Sequence, residues 1–190
     1  MKNISILVLF FMTISMPLLI NAQDTKFGAT AGYNSLIASV KFDGISASDN
    51  VSGFYIGLFA DIQTSEKFHV QPEIQYVNSR QDGESGNSLV VPIMVKYMAS
   101  EQFSLLFGPQ LDFILEESDG VKKMGVGLSA GLSYDITEKV FASVRYSLGL
   151  NNRLEDDAVI FTDGGEDPGI NASDIKTKFN FLQIGLGFRF

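Results

Sequence analysis

The sequence predicts an all-β protein, an eight-stranded antiparallel transmembrane β-barrel preceded by a cleaved signal peptide. Two observations favour this class. Long stretches of the chain alternate bulky apolar residues with small or polar ones, which is the period-two pattern of strands with two unlike faces. After residue 22, no apolar run reaches the length of about 20 residues that a membrane-spanning helix needs. We therefore expect strands, rather than helices, to cross the membrane.

The first 22 residues have the composition of a secretory signal peptide. Lys2 precedes an apolar stretch that ends at Ile20, and Asn21-Ala22 then precedes the polar Gln23. We expect cleavage near Ala22 or Gln23, which leaves one outer-membrane barrel domain, residues 23–190. A retained signal anchor is the alternative, and the shortness of the apolar run disfavours it.

Composition excludes several kinds of partner and chemistry. The chain has 14 basic and 22 acidic residues and a net charge of -8, so the phosphates of nucleic acid would repel it. Cysteine is absent, which excludes disulfides, thiol chemistry and cysteine-ligated metal. We expect no metal site, no cofactor and no nucleic-acid partner.

Eight stretches carry the strand alternation. In most of them the apolar row alternates with a row in which Gly, Ser, Gln, Asn or charged residues predominate, whereas in the fourth the second row is Val90, Pro92, Met94 and Lys96. Pro72 and Pro92 cannot donate to a ladder, so we expect bulges or local ladder breaks there. The predicted strands are residues 26–34, with a possible extension to Phe42, then 53–62, 68–78, 88–98, 103–115, 124–136, 140–151 and 177–190.

The connections between these strands alternate in length. Four connections are long, polar and turn-rich, and we predict them to be loops. They alternate along the chain with three short connections, which we predict to be turns. This asymmetry is typical of outer-membrane barrels, which have long external loops and short periplasmic turns. The predicted loops are residues 43–52, 79–87, 116–123 and 152–176, and the predicted turns are 63–67, 99–102 and 137–139.

Alternation alone leaves open which face meets water, since a soluble lipocalin-like barrel also has eight strands. Here the polar face is rich in Gly, Ser, Gln and Asn, which suits a narrow lumen better than a soluble exterior. Four aromatic residues of the apolar face lie beside the short turns, where an interfacial girdle is expected: Phe68, Tyr97, Phe103 and Tyr134. We therefore expect the apolar face to contact lipid.

Seven residues of the polar face are predicted to meet inside the barrel. Charges of both signs at membrane depth are expensive unless they pair. We expect a salt-bridged plug, and a narrow channel is the alternative. The predicted lumen cluster is Asp61, Glu73, Lys96, Gln110, Asp112, Arg145 and Arg189.

Catalysis and metal binding have weaker support in the sequence. His69, the single histidine, is predicted to point inward beside a periplasmic turn, away from the outer rim that a lipid enzyme would use. The acidic segments 155–157 and 163–167 could bind Ca²⁺ or bridge lipopolysaccharide, although no EF-hand spacing is present. Solvated loops are the ordinary interpretation, and we expect no enzyme activity.

Two runs and the final aromatic carry a family resemblance. Val-Val-Pro-Ile-Met-Val-Lys-Tyr (residues 90–97), Gly-Leu-Ser-Ala-Gly-Leu-Ser-Tyr-Asp (127–135) and the terminal Phe190 resemble the small outer-membrane β-barrel family described as porin-like or PorT-like, common in Bacteroidetes-type bacteria. The resemblance covers the predicted mature chain. It implies a Gram-negative outer-membrane location in contact with outer-membrane lipid and lipopolysaccharide.

The same resemblance implies how the protein is assembled and what it does. Barrel-assembly machinery would recognise the closing strand through Leu182, Ile184, Leu186, Phe188 and Phe190. We expect a non-enzymatic barrel with a plugged polar lumen and acidic external loops for binding or envelope integrity, whose external ligand or protein partner the sequence does not identify. A narrow porin-like channel and an accessory role in protein secretion, to which one family member is linked, are the alternatives.

Overall fold

A computed structural model describes residues 25–42, 45–81, 84–116, 120–154, 159–160, 170–171 and 175–190. The predicted signal peptide therefore lies outside the described residues. Within the described part, no helix is long and apolar enough to cross a membrane. Its ten strands are β1 (Thr25–Phe42), β2 (Ile45–Gln63), β3 (Phe68–Gln81), β4 (Glu84–Met98), β5 (Phe103–Ile114), β6 (Met124–Asp135), β7 (Val140–Gly149), β8 (Val159–Ile160), β9 (Ile170–Asn171) and β10 (Lys176–Arg189).

Eight of these strands form one closed antiparallel barrel. The strands β1 to β7 pair in chain order, and β10 pairs with both β7 and β1 to close the sheet. The two short strands β8 and β9 pair separately, within the longest connection. The predicted all-β, eight-stranded barrel is confirmed.

The register of the barrel sets its width. Following hydrogen-bonded neighbours around the barrel from Thr25, through Ile62, Val70, Val95, Phe107, Ala130, Tyr146 and Leu182, leads back to β1 at Ser35. This shear of about ten residues over eight strands corresponds to a strand tilt of about 40° and a backbone radius of about 8 Å. An interior of that width holds side chains and little else.

The apolar face of the barrel points outward. Leu58, Phe107 and Ile184 are 59%, 55% and 52% exposed, and they lie on three different strands. The aromatic residues beside the turns also lie on the outside: Phe68 contacts Tyr97 with ring centroids 5.1 Å apart, and Phe103 pairs with Tyr134 across β5 and β6. A continuous apolar exterior confirms the prediction that this face contacts lipid.

Two of the predicted external loops are largely strand. The connection between β1 and β2 is only residues 43–44, and that between β3 and β4 is residues 82–83. The prediction of loops over 43–52 and 79–87 was therefore wrong for most of these residues. Their Ser, Asp, Asn and Gly content indicated loops, but a strand that has left the membrane can be polar on both faces, because its ladder depends on backbone groups.

The short turns lie together at the opposite end of the barrel. They are residues 64–67, 99–102 and 136–139, and hydroxyl side chains cap each of them. The barrel seam ends on the same side, where the Phe190 backbone N–H donates to the Phe27 carbonyl at 2.9 Å. We refer to this side as the turn end and to the other as the loop end.

The prolines interrupt the ladder without shifting it. Pairing between β3 and β4 includes Pro72↔Ile93, stops for two residues and resumes in the same register at Gln75↔Val90. The β4–β5 ladder skips two residues beyond Pro92 and also resumes in the same register. The expected local breaks are present, and no bulge is needed to accommodate them.

Candidate functional site

The seven polar residues predicted to line the lumen all lie inside the barrel. Each side chain has the inward phase of its strand, and each residue is 5% exposed or less. The structure does not gather them into one cluster. It distributes them over three layers along the barrel axis, which we call the turn-end layer, the middle layer and the loop-end layer.

In the middle layer, one carboxylate organises the hydrogen bonds. Arg145 donates from Nη1 to Glu73 Oε1 at 2.7 Å. Gln71 donates to the same oxygen at 2.8 Å, and Gln75 donates to Glu73 Oε2 at 2.6 Å. Both carboxylate oxygens are therefore satisfied inside a space from which water is largely excluded, as a buried charge requires.

This network crosses the lumen. Glu73 and Gln75 lie on β3, Arg145 lies on β7, and Gln183 on β10 donates to Gln75 Oε1 at 3.0 Å. Ladder neighbours of β3 are β2 and β4 only, so the bonds to β7 and β10 connect opposite walls of the barrel. The middle layer thus links the walls through side chains as well as through the sheet.

Gln110 binds a separate group of residues on the β5–β7 wall. Its Oε1 accepts hydrogen bonds from Ser129 at 2.9 Å and from Ser147 at 2.8 Å. The two serine hydroxyls are themselves 2.6 Å apart. All three residues are buried, so this group fills its side of the lumen with satisfied polar atoms.

Asp61 is the centre of the turn-end layer. Its Oδ1 lies 2.6 Å from His69 Nδ1, and its Oδ2 lies 3.5 Å from Lys96 Nζ and 3.8 Å from Arg189 Nε. Arg189 also donates from Nη2 to Asp135 Oδ1 at 2.7 Å. His69 thus lies inward beside the turns, where the sequence placed it, as part of a charge network.

Two phenylalanines, Phe59 and Phe141, cover the turn-end layer on the side that faces the middle of the barrel. Phe141 lies under both cations, with its ring centroid 4.7 Å from Arg189 Cζ and 5.9 Å from Lys96 Nζ. Phe59 contacts Phe141 edge to face at 5.5 Å. Both rings are buried, and cations over aromatic faces are favourable in such a desolvated setting.

A cavity of about 360 Å³ lies at the turn end of this layer. Its lining includes Asp61, His69, Lys96, Asp135 and Arg189, so it is a charged recess formed by the same residues. We refer to it as the vestibule. The paired rings of Phe59 and Phe141 are absent from its lining and lie deeper along their strands.

The loop-end layer depends on Arg153, a residue of the predicted loop 152–176. Arg153 follows β7, yet it is 1% exposed and its Nη1 lies 2.8 Å from Asp112 Oδ2. Its guanidinium stacks over Phe179 at 4.9 Å, and its backbone N–H donates to the Thr177 carbonyl at 2.8 Å. The start of the long connection therefore folds into the barrel mouth.

Sequence alternation could not reveal Arg153, because the residue lies outside any period-two stretch. Only indirect features of the sequence pointed to a cation at this position. Asp112 is an inward carboxylate that needs a cation, and a side chain on the neighbouring Gly125 would collide with both Asp112 and Arg153. Glycines leave room for large inward side chains at other positions too. Side chains at Gly28 and Gly187 would collide with the rings of Phe59 and Phe141, respectively.

Polar atoms on the β1 wall have no protein partner among the described residues. They are Thr30 Oγ1 and both side-chain polar atoms of Asn34, which is fully buried. Buried polar groups of this kind are normally satisfied by ordered water. The part of the lumen beside Thr30 and Asn34 on β1 therefore suits bound water.

Metal binding finds no support in the described part of the chain. No group of three or more His, Asp or Glu side chains there is arranged to hold a metal ion. The acidic segments 155–157 and 163–167, which the sequence offered as weak Ca²⁺ sites, lie outside the described residues.

The barrel with a lipid-facing exterior agrees with the family comparison. The family model described as "Outer membrane protein beta-barrel domain" matches residues 6–190. This chain belongs to that family. The outer-membrane β-barrel protein is accordingly an integral protein of the outer membrane, and the predicted location is confirmed.

Solved structures agree on the fold. The outer-membrane β-barrel protein is similar to Neisserial surface protein A, with 15% identity, coverage of 88% of this chain and 100% of that chain, and a TM-score of 0.50. It is also similar to Ail, the attachment invasion locus protein of Yersinia pestis, with 18% identity, the same two coverages and a TM-score of 0.51. The comparison with curated proteins found no match.

Proposed function

We propose that this protein is a non-enzymatic barrel of the outer membrane whose lumen is plugged by its own side chains and whose surface segments serve binding or envelope integrity. The observation that carries the proposal is the middle layer, in which Glu73 binds Arg145 and two glutamines across the lumen. In a barrel of about 8 Å backbone radius, side chains that bond across the lumen occupy much of its cross-section.

The energetics of the middle layer support a closed lumen. An ion that crossed it would have to separate Glu73 from Arg145, which are both nearly inaccessible to solvent. Breaking a buried ion pair by removing one partner typically costs about 3–5 kcal/mol, because the remaining charge is left uncompensated. Phe141 and Arg153 add further obstructions toward the turn end and the loop end.

Planar-bilayer recording tests the closed lumen. We expect refolded wild-type protein to show no stable unitary current. The double variant Glu73→Ala/Arg145→Ala removes both charged side chains of the middle layer and so leaves no unpaired charge, and we expect brief, small conductance steps from it. Stable unitary currents from the wild-type protein would support the narrow channel instead.

The absence of enzyme activity is a second part of the proposal and needs its own test. His69 is held by Asp61 in the vestibule, at the turn end, rather than at an outer rim in contact with acyl chains. We expect His69→Ala to leave the lipid composition of the envelope unchanged, as judged by mass spectrometry of extracted lipids. A changed acyl-chain pattern in that variant would contradict the non-enzymatic assignment.

Export and family type complete the proposal. A signal peptide over residues 1–22 would be removed, so mass spectrometry of the mature protein would give a first residue near 23.

The PorT-like resemblance of residues 90–97 and 127–135 remains a prediction, and with it an accessory role in protein secretion. Purification from cross-linked envelopes would test that role by recovering, or failing to recover, components of a secretion apparatus.

A further inference from the structure

The vestibule is a recess that a solute can enter from the turn end. Its lining includes Glu101 and Glu138, which are exposed residues of two turns, so the recess opens at that end of the barrel. In outer-membrane barrels the short turns face the periplasm. The closed lumen gives this recess no role of its own, and its charged lining is therefore available for a ligand.

An under-coordinated ammonium lies at the inner part of the vestibule. Lys96 is only 2% exposed, and within the described part of the chain its Nζ has one hydrogen-bond acceptor, Asp61 Oδ2, at the long distance of 3.5 Å. An ammonium has three donors, and a buried one needs acceptors for them. Lys96 lines the vestibule, and its flexible stem lets the ammonium meet an acceptor there.

The rim of the vestibule has the opposite character. Glu101 and Glu138 line it from neighbouring turns, which are linked where the Asp135 backbone N–H donates to the Gln102 carbonyl at 2.8 Å. Among the residues that the structure describes, neither glutamate forms an ion pair. The recess thus presents free carboxylates outside and a cation inside.

The net charge of the lining argues against a simple anion. Four carboxylates line the vestibule against the three cations Lys26, Lys96 and Arg189, which gives a net charge of -1 with His69 neutral. A lone anion would enter a negative recess and meet Asp61 beside Lys96. A ligand that carries both charges avoids this repulsion, with its anionic group turned inward and its cationic group at the rim.

The spacing of these groups indicates the length of the ligand. Lys96 lies two residues, or about 7 Å, before Met98 at the end of β4, and Glu101 lies in the turn beyond. A single amino acid carries its amino and carboxyl groups on one Cα, about 2.5 Å apart. An extended dipeptide spans about 7 Å, which matches the distance from the inner cation to the rim.

We propose that the vestibule binds a short periplasmic peptide with free ends. Its carboxylate accepts hydrogen bonds from Lys96, and its amino group donates to Glu101 and Glu138. Both ends then form charge-assisted hydrogen bonds, which are stronger than neutral ones. This site goes beyond the proposed function, which assigns binding to the external segments, and it does not depend on whether those segments bind anything.

Methyl resonances of methionine report on this site directly. Met98 lines the vestibule, whereas Met124 is exposed at the start of β6, at the opposite end of the barrel. The dipeptide Ala-Ala is titrated into protein that carries isotope-labelled methionine methyl groups and has been refolded in detergent. We expect a saturable shift of the Met98 resonance in the nuclear magnetic resonance spectrum and no shift of the Met124 resonance.

Capped peptides test recognition of each end. N-acetyl-Ala-Ala lacks the charged amino group, and Ala-Ala amide lacks the carboxylate. We expect each cap to weaken the affinity by about tenfold, because each removes hydrogen bonds between charged groups. Free alanine should bind no better than the capped forms, since it cannot reach both ends of the recess.

Variants assign the ends to residues. Glu101→Gln/Glu138→Gln should weaken Ala-Ala binding by about tenfold and leave the affinity for N-acetyl-Ala-Ala unchanged. Lys96→Met should abolish the preference for Ala-Ala over its amide. If Lys96→Met does not fold, the two rim glutamates still allow the test, because they are exposed and unpaired.

A matched variant controls for net charge. Glu66 is an exposed carboxylate of the remaining turn and is not part of the vestibule lining. We expect Glu66→Gln to bind Ala-Ala as the wild-type protein does, whereas Glu101→Gln alone should weaken binding by about threefold. Heat-dependent gel mobility shows whether each variant has folded before peptide is added.

Three results would overturn the proposal. Equal affinities for Ala-Ala and both capped forms would show that the ends are not recognised. An unchanged affinity in the folded Glu101→Gln/Glu138→Gln variant would place the peptide elsewhere. A Met98 shift with inorganic phosphate as large as that with Ala-Ala would indicate a general anion site. None of these results bears on conductance, which tests the closed lumen separately.

Discussion

At the scale of single residues, the interior is built from pairs of opposite character. Glu73 forms an ion pair with Arg145, Asp61 with Lys96 and Arg189, and Asp112 with Arg153. Large inward side chains likewise face glycines, as Phe141 faces Gly187. Because each member is sterically or electrostatically acceptable only with its partner, single substitutions should cost more than paired ones.

The Glu73–Arg145 pair allows this to be measured. We expect Arg145→Leu to reduce the free energy of unfolding by about 3–5 kcal/mol, because it leaves a buried carboxylate without its cation. The double variant Glu73→Leu/Arg145→Leu should lose clearly less, since both charges leave together. Urea titration in detergent micelles measures both, and equal losses would show that the pair is not coupled.

Gly187 provides a steric counterpart. A Cβ at this position would overlap the ring of Phe141, which is buried beneath Arg189. We expect Gly187→Ala to lower the free energy of unfolding by about 1–3 kcal/mol through overpacking. Gly86→Ala is the control, because a Cβ there meets nothing within 4 Å, and it should change stability by less than about 0.5 kcal/mol.

Several of these residues could be predicted from sequence and others could not. The inward phase of Asp61, Glu73 and Arg145 follows from alternation, because a strand has only two faces. The choice of partner does not, since partners such as Glu73 and Arg145 lie on strands that are far apart in the chain and not adjacent in the sheet. Tyr55, buried against Gly185, and Gln183 are further lumen residues whose roles depend on that unpredictable proximity.

At the scale of elements, each of the eight barrel strands was predicted and its apolar part was placed correctly, whereas the short strands β8 and β9 lie in a segment predicted as loop. The boundaries differ where the chain leaves the membrane. Residues 45–52 continue β2 and residues 84–87 begin β4, although their composition resembles that of loops. Hydropathy reports the part of a strand that touches lipid, whereas the ladder ends only where backbone pairing ends.

The closing strand β10 has a proposed second role as the assembly signal. Phe188 and Phe190 project from the outside near the turn end, and their rings are 6.1 Å apart. We expect Phe190→Ser to reduce the amount of folded protein in the outer membrane of cells. Its stability after refolding in detergent should change by less than about 1 kcal/mol, because the side chain is mostly exposed.

Phe68→Ser is the matched control for this experiment. Phe68 is also an exposed outer-surface aromatic beside a turn, but it lies on β3 rather than on the closing strand. It should refold and insert in cells nearly as the wild-type protein does. Equal insertion defects in the two variants would show that aromatic girdle residues matter in general, and that β10 carries no particular signal.

At the scale of the whole molecule, closure distinguishes the barrel from an ordinary sheet. All eight ladders are present, so within the membrane-spanning part no strand is left with an unpaired edge. In lipid, where backbone groups have no water to bind, this makes unfolding strongly cooperative. The resistance to detergent that follows is a property of the closed ring rather than of any single strand.

Gel mobility in sodium dodecyl sulfate tests this property. We expect the unheated protein to migrate ahead of the boiled protein, because a closed barrel stays compact in the detergent. A variant from which residues 176–190 are deleted lacks β10, so its sheet cannot close. The gel mobility of this variant should not depend on heating. An intact protein without a heat-dependent shift would contradict the closed barrel.

The long hairpins also affect how the protein meets hydrolytic enzymes outside the cell. A protease must bind its target as an unpaired extended segment, and the backbone beside Lys41 and Arg80 is already engaged with β-strands on both sides. Trypsin applied to living bacteria should therefore spare both positions. Strand-paired hairpins of this kind would keep the protein intact on a cell surface where unpaired segments are cleaved by proteases.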